Sequence, residues 1–123
     1  MEIFKELTAE KHEQVVFWLD KVANLRAIIA IHDTTLGPAI GGVRLLKYET
    51  EEDAITDALR LSRAMTYKAS AIGVNQGGGQ AVIMAPDEEI DHDTLWWSFG
   101  RFVNSLGGRF IAGEDVGTSV EDM

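Results

Sequence analysis

Lys68, Gln80 and Asp115 are the residues whose types and surroundings could do chemistry in this chain. Lys68 ends the run Met65-Thr66-Tyr67-Lys68, and Gly77-Gly78-Gly79-Gln80 follows it closely. Beside a glycine turn, Lys68 could hold a carboxylate or a phosphate as a point charge. The plain alternative is one more exposed surface lysine. Consecutive glycines lose conformational entropy on folding without gaining burial, so such a run marks a place where another backbone or a ligand comes close. The run is not a phosphate loop, because Gln80 and Ala81 stand where a Walker sequence needs Lys and Ser or Thr. It is not a dinucleotide fingerprint either, since it precedes a strand instead of following one. Asp115, in Gly113-Glu114-Asp115-Val116-Gly117-Thr118, reads by itself as a loop or capping residue. His32-Asp33 and Asp91-His92-Asp93 lack the distributed ligands of a metal site. His12 follows Lys11 in a polar segment and reads as a surface residue. Trp96-Trp97 reads as helix packing or a subunit contact.

The elements that must position these residues can be read from periodicity. Residues 1 to 12 form a short helix or irregular segment. Glu13–Asp20 and Leu25–His32 are strand-length runs rich in Val, Ile and aromatics, and the polar Lys21-Val22-Ala23-Asn24 between them predicts a hairpin. Continuous apolarity in Ala27–Ile31 predicts a strand covered on both faces. Asp33–Gly42 reads as a loop, and Val43–Tyr48 as a third strand. Thr50 caps a helix reaching about Ala71, with Glu51, Glu52 and Asp53 at its positive end. Ile55, Leu59, Ser62 and Met65 share one face of it, and Gly73 ends it. A glycine turn then leads to a strand at Ala81–Ala85, closed by Pro86. Asp91 or Asp93 caps a second long helix with a stripe of Leu95, Trp96, Phe99, Phe102, Val103 and Leu106. Gly107-Gly108 stops it, and Arg109–Ala112 is the last strand. The expected fold is α/β, a mixed β-sheet flanked by helices, in one domain over residues 1–123.

Composition bounds the partners. The net charge of −9 argues against nucleic acid and anionic membrane, both of which require clustered Lys and Arg. No apolar run approaches the roughly 20 residues that span a bilayer. Without cysteine there is no disulfide, thiolate catalysis or Cys-based metal site, in keeping with a cytoplasmic location.

His32-Asp33-Thr34-Thr35-Leu36-Gly37-Pro38-Ala39, Gly41-Gly42-Val43-Arg44, Asp57-Ala58-Leu59-Arg60-Leu61-Ser62-Arg63, Met65-Thr66-Tyr67-Lys68, Gly77-Gly78-Gly79 and Glu114-Asp115-Val116-Gly117-Thr118 together carry a resemblance. They resemble the N-terminal, substrate-binding and dimerisation domain of the glutamate/leucine/phenylalanine/valine dehydrogenases, nearest the leucine branch. The resemblance implies that Lys68 takes the substrate α-carboxylate and that Asp115 handles protons near the amino group. It implies that Gly41, Gly42 and Met65 line the substrate, while Ile40 and Gly113 border its side chain. The nearest relatives carry Leu at position 40 and often Ala at 113, so Gly113 leaves room for a larger aliphatic or aromatic side chain. The glycine run would admit the substrate. The implied ligand is an amino acid or 2-oxo acid, and the implied assembly is a homo-oligomer. The implied cofactor is NAD, carried by a separate Rossmann domain and not by this chain.

The sequence departs from the family at two points. The family's catalytic lysine is replaced by Gln80, which can accept and donate hydrogen bonds but cannot shuttle a proton at neutral pH. General acid–base catalysis contributes about 10²–10⁴-fold, so its loss would cripple turnover. The sequence also stops at Met123, before any nucleotide-binding domain. The expectation is an isolated domain of a dehydrogenase whose parent reaction is NAD-dependent oxidative deamination, inactive alone. The alternative is a standalone non-catalytic paralogue that binds amino acids or promotes oligomerisation.

Overall fold

The structure is a computed structural model and describes residues 1–114 and Thr118. The elements run α1 (Ile3–Glu10), β1 (Gln14–Asp20), β2 (Leu25–Asp33), β3 (Ala39–Leu46), α2 (Glu51–Ala71), β4 (Gly77–Met84), α3 (His92–Ser105) and β5 (Phe110–Glu114). The strands form one sheet in the order β1-β2-β4-β3-β5. The β1/β2 and β2/β4 pairs are antiparallel, whereas β3 lies parallel to both β4 and β5. This is the mixed sheet expected from the sequence, with the hairpin as its antiparallel edge.

Alternation along the central strands sorts the core onto two faces. Ile28, Ala30, Val82 and Met84 pack against Ala54, Ala58 and Leu59 of α2. Ile29, Ile31, Ala81 and Ile83 pack with Leu95, Phe99 and Phe102 of α3. Burial on both faces is why Ala27–Ile31 shows no polar alternation. Phe102 is fully buried and stacks on Trp18 at 5.3 Å between ring centroids. Truncating such a side chain to Ala typically costs about 3–5 kcal/mol.

Short polar contacts fix the element ends. The Thr50 hydroxyl accepts from the Asp53 N–H, and the Asp91 carboxylate accepts from that of Thr94. In the hairpin turn, Asp20 Oδ1 accepts from the Val22 and Ala23 N–H groups, and Asn24 takes a left-handed φ of 53°. Ser98 ties that hairpin to α3 by donating to Asp20 Oδ2 at 2.6 Å while accepting from Trp18 Nε1 at 3.1 Å. No helix of the described residues is long and apolar enough to cross a membrane.

Three expectations need correction. The third strand begins at Ala39, not Val43, so Ala39–Gly42 is strand and not loop. The glycine turn is likewise the start of the fully buried central strand β4. Glycine signals a turn in sequence but serves here to let strands and a helix approach. A Cβ on Gly41 would fall 1.7 Å from the Gly79 carbonyl oxygen. His12, read as a surface residue, is half-buried. Its Nε2 donates to the Leu59 carbonyl at 2.9 Å and lies 3.0 Å from Ser62 Oγ, and its ring meets that of His32 edge-on at 4.7 Å. His32 bonds the Glu10 carbonyl and the Thr66 hydroxyl, so the histidine pair clasps α1 to α2.

Candidate functional site

The α2 face of the sheet is not covered evenly. Over the β4-β3-β5 side lies a hollow of about 430 Å³, lined by Ile40, Gly41, Gly42, Arg44, Leu61, Ala64, Met65, Lys68, Gln80 and Gly113. Strand register explains its floor. Gly42 pairs with Gly113 on β5, and it stands one step before the Val43–Ala81 pairing on β4. One row across the sheet therefore reads Gln80, Gly42, Gly113. Two members of that row have no side chain, so the space above them stays open.

The wall comes from α2. Leu61, Ala64, Met65 and Lys68 recur at helical spacing and share one stripe. Leu61 and Met65 are half-buried apolar groups; Lys68, a turn further on, is exposed. Among the described residues Lys68 makes no ion pair. Opposite it, Ile40 and Arg44 rise from β3 on the same side as Gly42.

Arg44 belongs to a charged cluster. Its Nη1 lies 3.4 Å from Asp57 Oδ2, and the two side chains are only 17% and 15% exposed. Asp57 also accepts from Tyr48 Oη at 2.6 Å and from Arg60 Nη2 at 2.9 Å. Burial pushes its carboxyl pKa upward, but the hydrogen bonds from Tyr48 and Arg60 and the charge of Arg44 outweigh that and hold it below the ordinary value. Asp57 is thus ionised at neutral pH and partly balances Arg44.

Gln80 is 2% exposed, and its Nε2 donates to the Ala81 carbonyl at 3.1 Å. The hollow therefore has a neutral amide on its floor and cations on its sides.

Seven residues named from the sequence meet here: Ile40, Gly41, Gly42, Met65, Lys68, Gln80 and Gly113. Asp115 lies outside the described residues. Arg44, Leu61 and Ala64 also line the hollow and were missed. Leu61 and Ala64 were legible as residues four before Met65 and Lys68, on the same helix face. Arg44 fell inside the expected third strand, but the face it shares with Ile40 and Gly42 was hidden because that strand was started too late.

The glycine run itself does not open onto the hollow. A Cβ on Gly78 would sit 2.1 Å from the Thr66 nitrogen and 2.5 Å from the Ser62 carbonyl oxygen; one on Gly79 would meet the Phe110 ring at 2.8 Å. These glycines admit α2, a neighbouring strand and an aromatic ring, and not a substrate. The run enters strand β4 and not a helix, so it does not form a dinucleotide-binding turn. Among the described residues, no three His, Asp or Glu side chains gather as a metal site.

Element order and strand order define an α/β domain of the amino-acid dehydrogenase type. The chain belongs to the Glu/Leu/Phe/Val dehydrogenase family: a family model described as its dimerisation domain matches residues 10–123. It is 53% identical over 123 residues to a leucine dehydrogenase of Geobacillus stearothermophilus, covering 100% of this chain and 34% of that one. A valine dehydrogenase of Streptomyces virginiae is 54% identical over 112 residues, covering 91% of this chain and 31% of that one. The crystal structure of L-tryptophan dehydrogenase from Nostoc punctiforme superposes with a TM-score of 0.92 at 52% identity, over 98% of this chain and 36% of that one. The chain thus spans about a third of the length of the curated relatives it matches.

Proposed function

We propose that the hollow holds an L-amino acid or its 2-oxo acid, with the Lys68 ammonium on the α-carboxylate. Gly41, Gly42 and Met65 lie along the ligand backbone, and Ile40 and Gly113 border its side chain. The observation that carries this reading is convergence. Residues from four separate elements, 40 to 113 in sequence, surround one hollow with an apolar wall and a lysine that has no ion-pair partner among the described residues. Such a combination suits a molecule with a carboxylate at one end and a hydrocarbon at the other.

The parent reaction is NAD-dependent oxidative deamination, with NAD supplied by parts of the relatives that this chain does not span. Asp115 takes the family role in proton handling near the amino group. Gln80 has no proton to exchange at neutral pH, so no base acts from that position. Turnover by these 123 residues alone is expected to be absent. The buried neutral amide also favours a second reading, a non-catalytic amino-acid-binding or oligomerisation module, over a working fragment.

Among the described residues, a Cβ at Gly113 would find nothing nearer than the Gly41 carbonyl oxygen at 3.9 Å, which suits a large ligand side chain. Copies are expected to associate through β1, an edge strand exposing Phe17 and Leu19 at 57% and 69%. A cytoplasmic setting fits the absence of cysteine.

Titration calorimetry with L-leucine and L-phenylalanine tests the reading. Lys68→Ala should weaken both at least tenfold, as loss of a charge-assisted bond requires. Unchanged affinity in that variant would refute the assignment of Lys68. Sedimentation showing only monomer at high concentration would refute association.

A further inference from the structure

We propose that α1 is an acid-released segment: it lifts off α2 as a unit while the sheet stays folded, and a proton on Nδ1 of His12 favours the lifted form. Release involves no residue that lines the hollow.

α1 has little of its own to hold it in place. It is 8 residues long, against the roughly 12–15 that an isolated helix needs in water. None of its residues is buried, and no side chain caps its N-terminus. Ile3 and Leu7 are only partly buried against the core on the α2 side. The Glu10–Arg63 ion pair, at 2.7 Å, joins side chains 48% and 45% exposed, and such pairs hold weakly. A hollow of about 330 Å³ already lies in the seam, bordered by Glu6, Glu10, Leu59 and Arg63 among others. The remaining ties are the two histidines. His32 Nε2 donates to the Glu10 carbonyl at 2.7 Å, and His12, just past the helix, donates to the Leu59 carbonyl of α2.

The Leu59 carbonyl can only accept, so the hydrogen of neutral His12 sits on Nε2 and a second proton must go to Nδ1. Nδ1 is buried and has no hydrogen-bond partner among the described residues. A proton there creates a charge and a donor with nothing to donate to, and both are costly away from water. Three charged or titratable groups face the ring: Glu10 from α1, Arg63 from α2 and His32 from β2. Burial lowers the His12 pKa most; the Leu59 bond raises it, His32 lowers it, Glu10 raises it and Arg63 lowers it. Lifting α1 lets His12 meet water, so the lifted form takes the proton more readily and acid favours it. The sheet is not obliged to follow, because neither core cluster has a buried residue from α1.

Amide hydrogen exchange of the chain by NMR tests this, with each rate referred to that of unprotected peptide at the same pH. Amides of Leu7 to Lys11 should be at least about tenfold less protected than those of Val82 and Ile83 in β4. Their opening should depend on urea far less, since it exposes little surface. Between about pH 7.5 and about pH 5.5 their protection should fall several-fold, never by more than about tenfold per unit, the limit for one proton. His12→Gln keeps a donor for Leu59 but cannot titrate, and should abolish this pH dependence. Should that variant fail to fold by circular dichroism, the His12 ring signals of the parent chain should titrate over the same range as α1 loses protection. Equal protection and equal urea dependence in α1 and β4 would show that α1 leaves only with the sheet, and would overturn the proposal. So would α1 protection that is constant with pH, a fall that persists in His12→Gln, or His12 signals that titrate apart from the loss.

Discussion

Gly78→Ala is the substitution that most directly probes how the hollow is built. Its new methyl group would lie 2.1 Å from the Thr66 nitrogen, 2.4 Å from Thr66 Oγ1 and 2.5 Å from the Ser62 carbonyl oxygen. Two of these are backbone atoms of α2, so no change of rotamer relieves the clash. Ordinary carbon contacts need about 3.5 Å or more, and the helix must therefore retreat from β4 by about an ångström. That retreat loosens Ala54, Ala58 and Leu59 from Ile28, Ala30, Val82 and Met84. Overpacking a tight core costs about 1–3 kcal/mol, and rigid backbone on the far side puts this case near 3. Against a total stability of about 5–15 kcal/mol the loss is easily read. Urea denaturation should show a lower midpoint with the slope unchanged. Gly100→Ala is the matched control, because no atom of the described residues outside its own helix backbone lies within 4 Å of its Cβ position in α3. It should stabilise by about 0.5–1 kcal/mol through helix propensity alone. Stability of Gly78→Ala within about 0.5 kcal/mol of the parent chain would refute the idea that this glycine sets the α2–β4 distance.

Acid should loosen the clasp between α1 and α2. Burial holds the His12 pKa below its ordinary value of 6.5, with His32 and Arg63 adding to the shift and the Leu59 hydrogen bond and Glu10 opposing it. The unfolded chain therefore binds the proton more readily. Stability is intact above about pH 6.5 and falls as pH drops from there toward the depressed value. Urea midpoints across this range should decline less in His12→Gln, and equal declines would count against the role of His12. Asp57→Asn leaves Arg44 with less compensation in a mostly buried place, and a loss of about 2 kcal/mol in urea denaturation is expected; a change below about 0.5 would count against the cluster. Gly113→Ala should leave the melting temperature within a few degrees but weaken L-phenylalanine binding more than L-leucine binding, and equal loss would count against Gly113 bordering the side chain.

Much of this architecture could be read from the sequence because its signals were redundant. The hairpin had two apolar runs and a polar turn, α2 had a cap and a stripe, and α3 had Asp91 before it and Gly107-Gly108 after it. The errors fell where glycine carries two meanings. In Ala39–Gly42 and Gly77–Gly79 the residues are strand, and the missing side chains of Gly41, Gly77 and Gly78 make way for neighbouring backbone. Only tertiary pairing, Gly41 against Gly79 and Gly78 against Thr66, separates that use from a turn. His12 was misread for a related reason: its partners Leu59 and Ser62 lie on α2, far away in sequence. The gathering of Lys68, Gln80 and Gly113 was suggested by resemblance, but the floor row of Gln80, Gly42 and Gly113 needed strand register to be seen. Arg44 became visible as a lining residue only once β3 was extended back to Ala39.

Backbone amide shifts of the isotopically labelled chain, followed during titration with L-leucine or L-phenylalanine, test the placement of the ligand most directly. The account predicts saturable changes centred on Ile40, Gly42, Met65, Lys68, Gln80 and Gly113. Saturable changes centred instead on a second groove, lined by Phe17, Arg26 and Ile55 among others, or no saturable change at millimolar ligand, would contradict it.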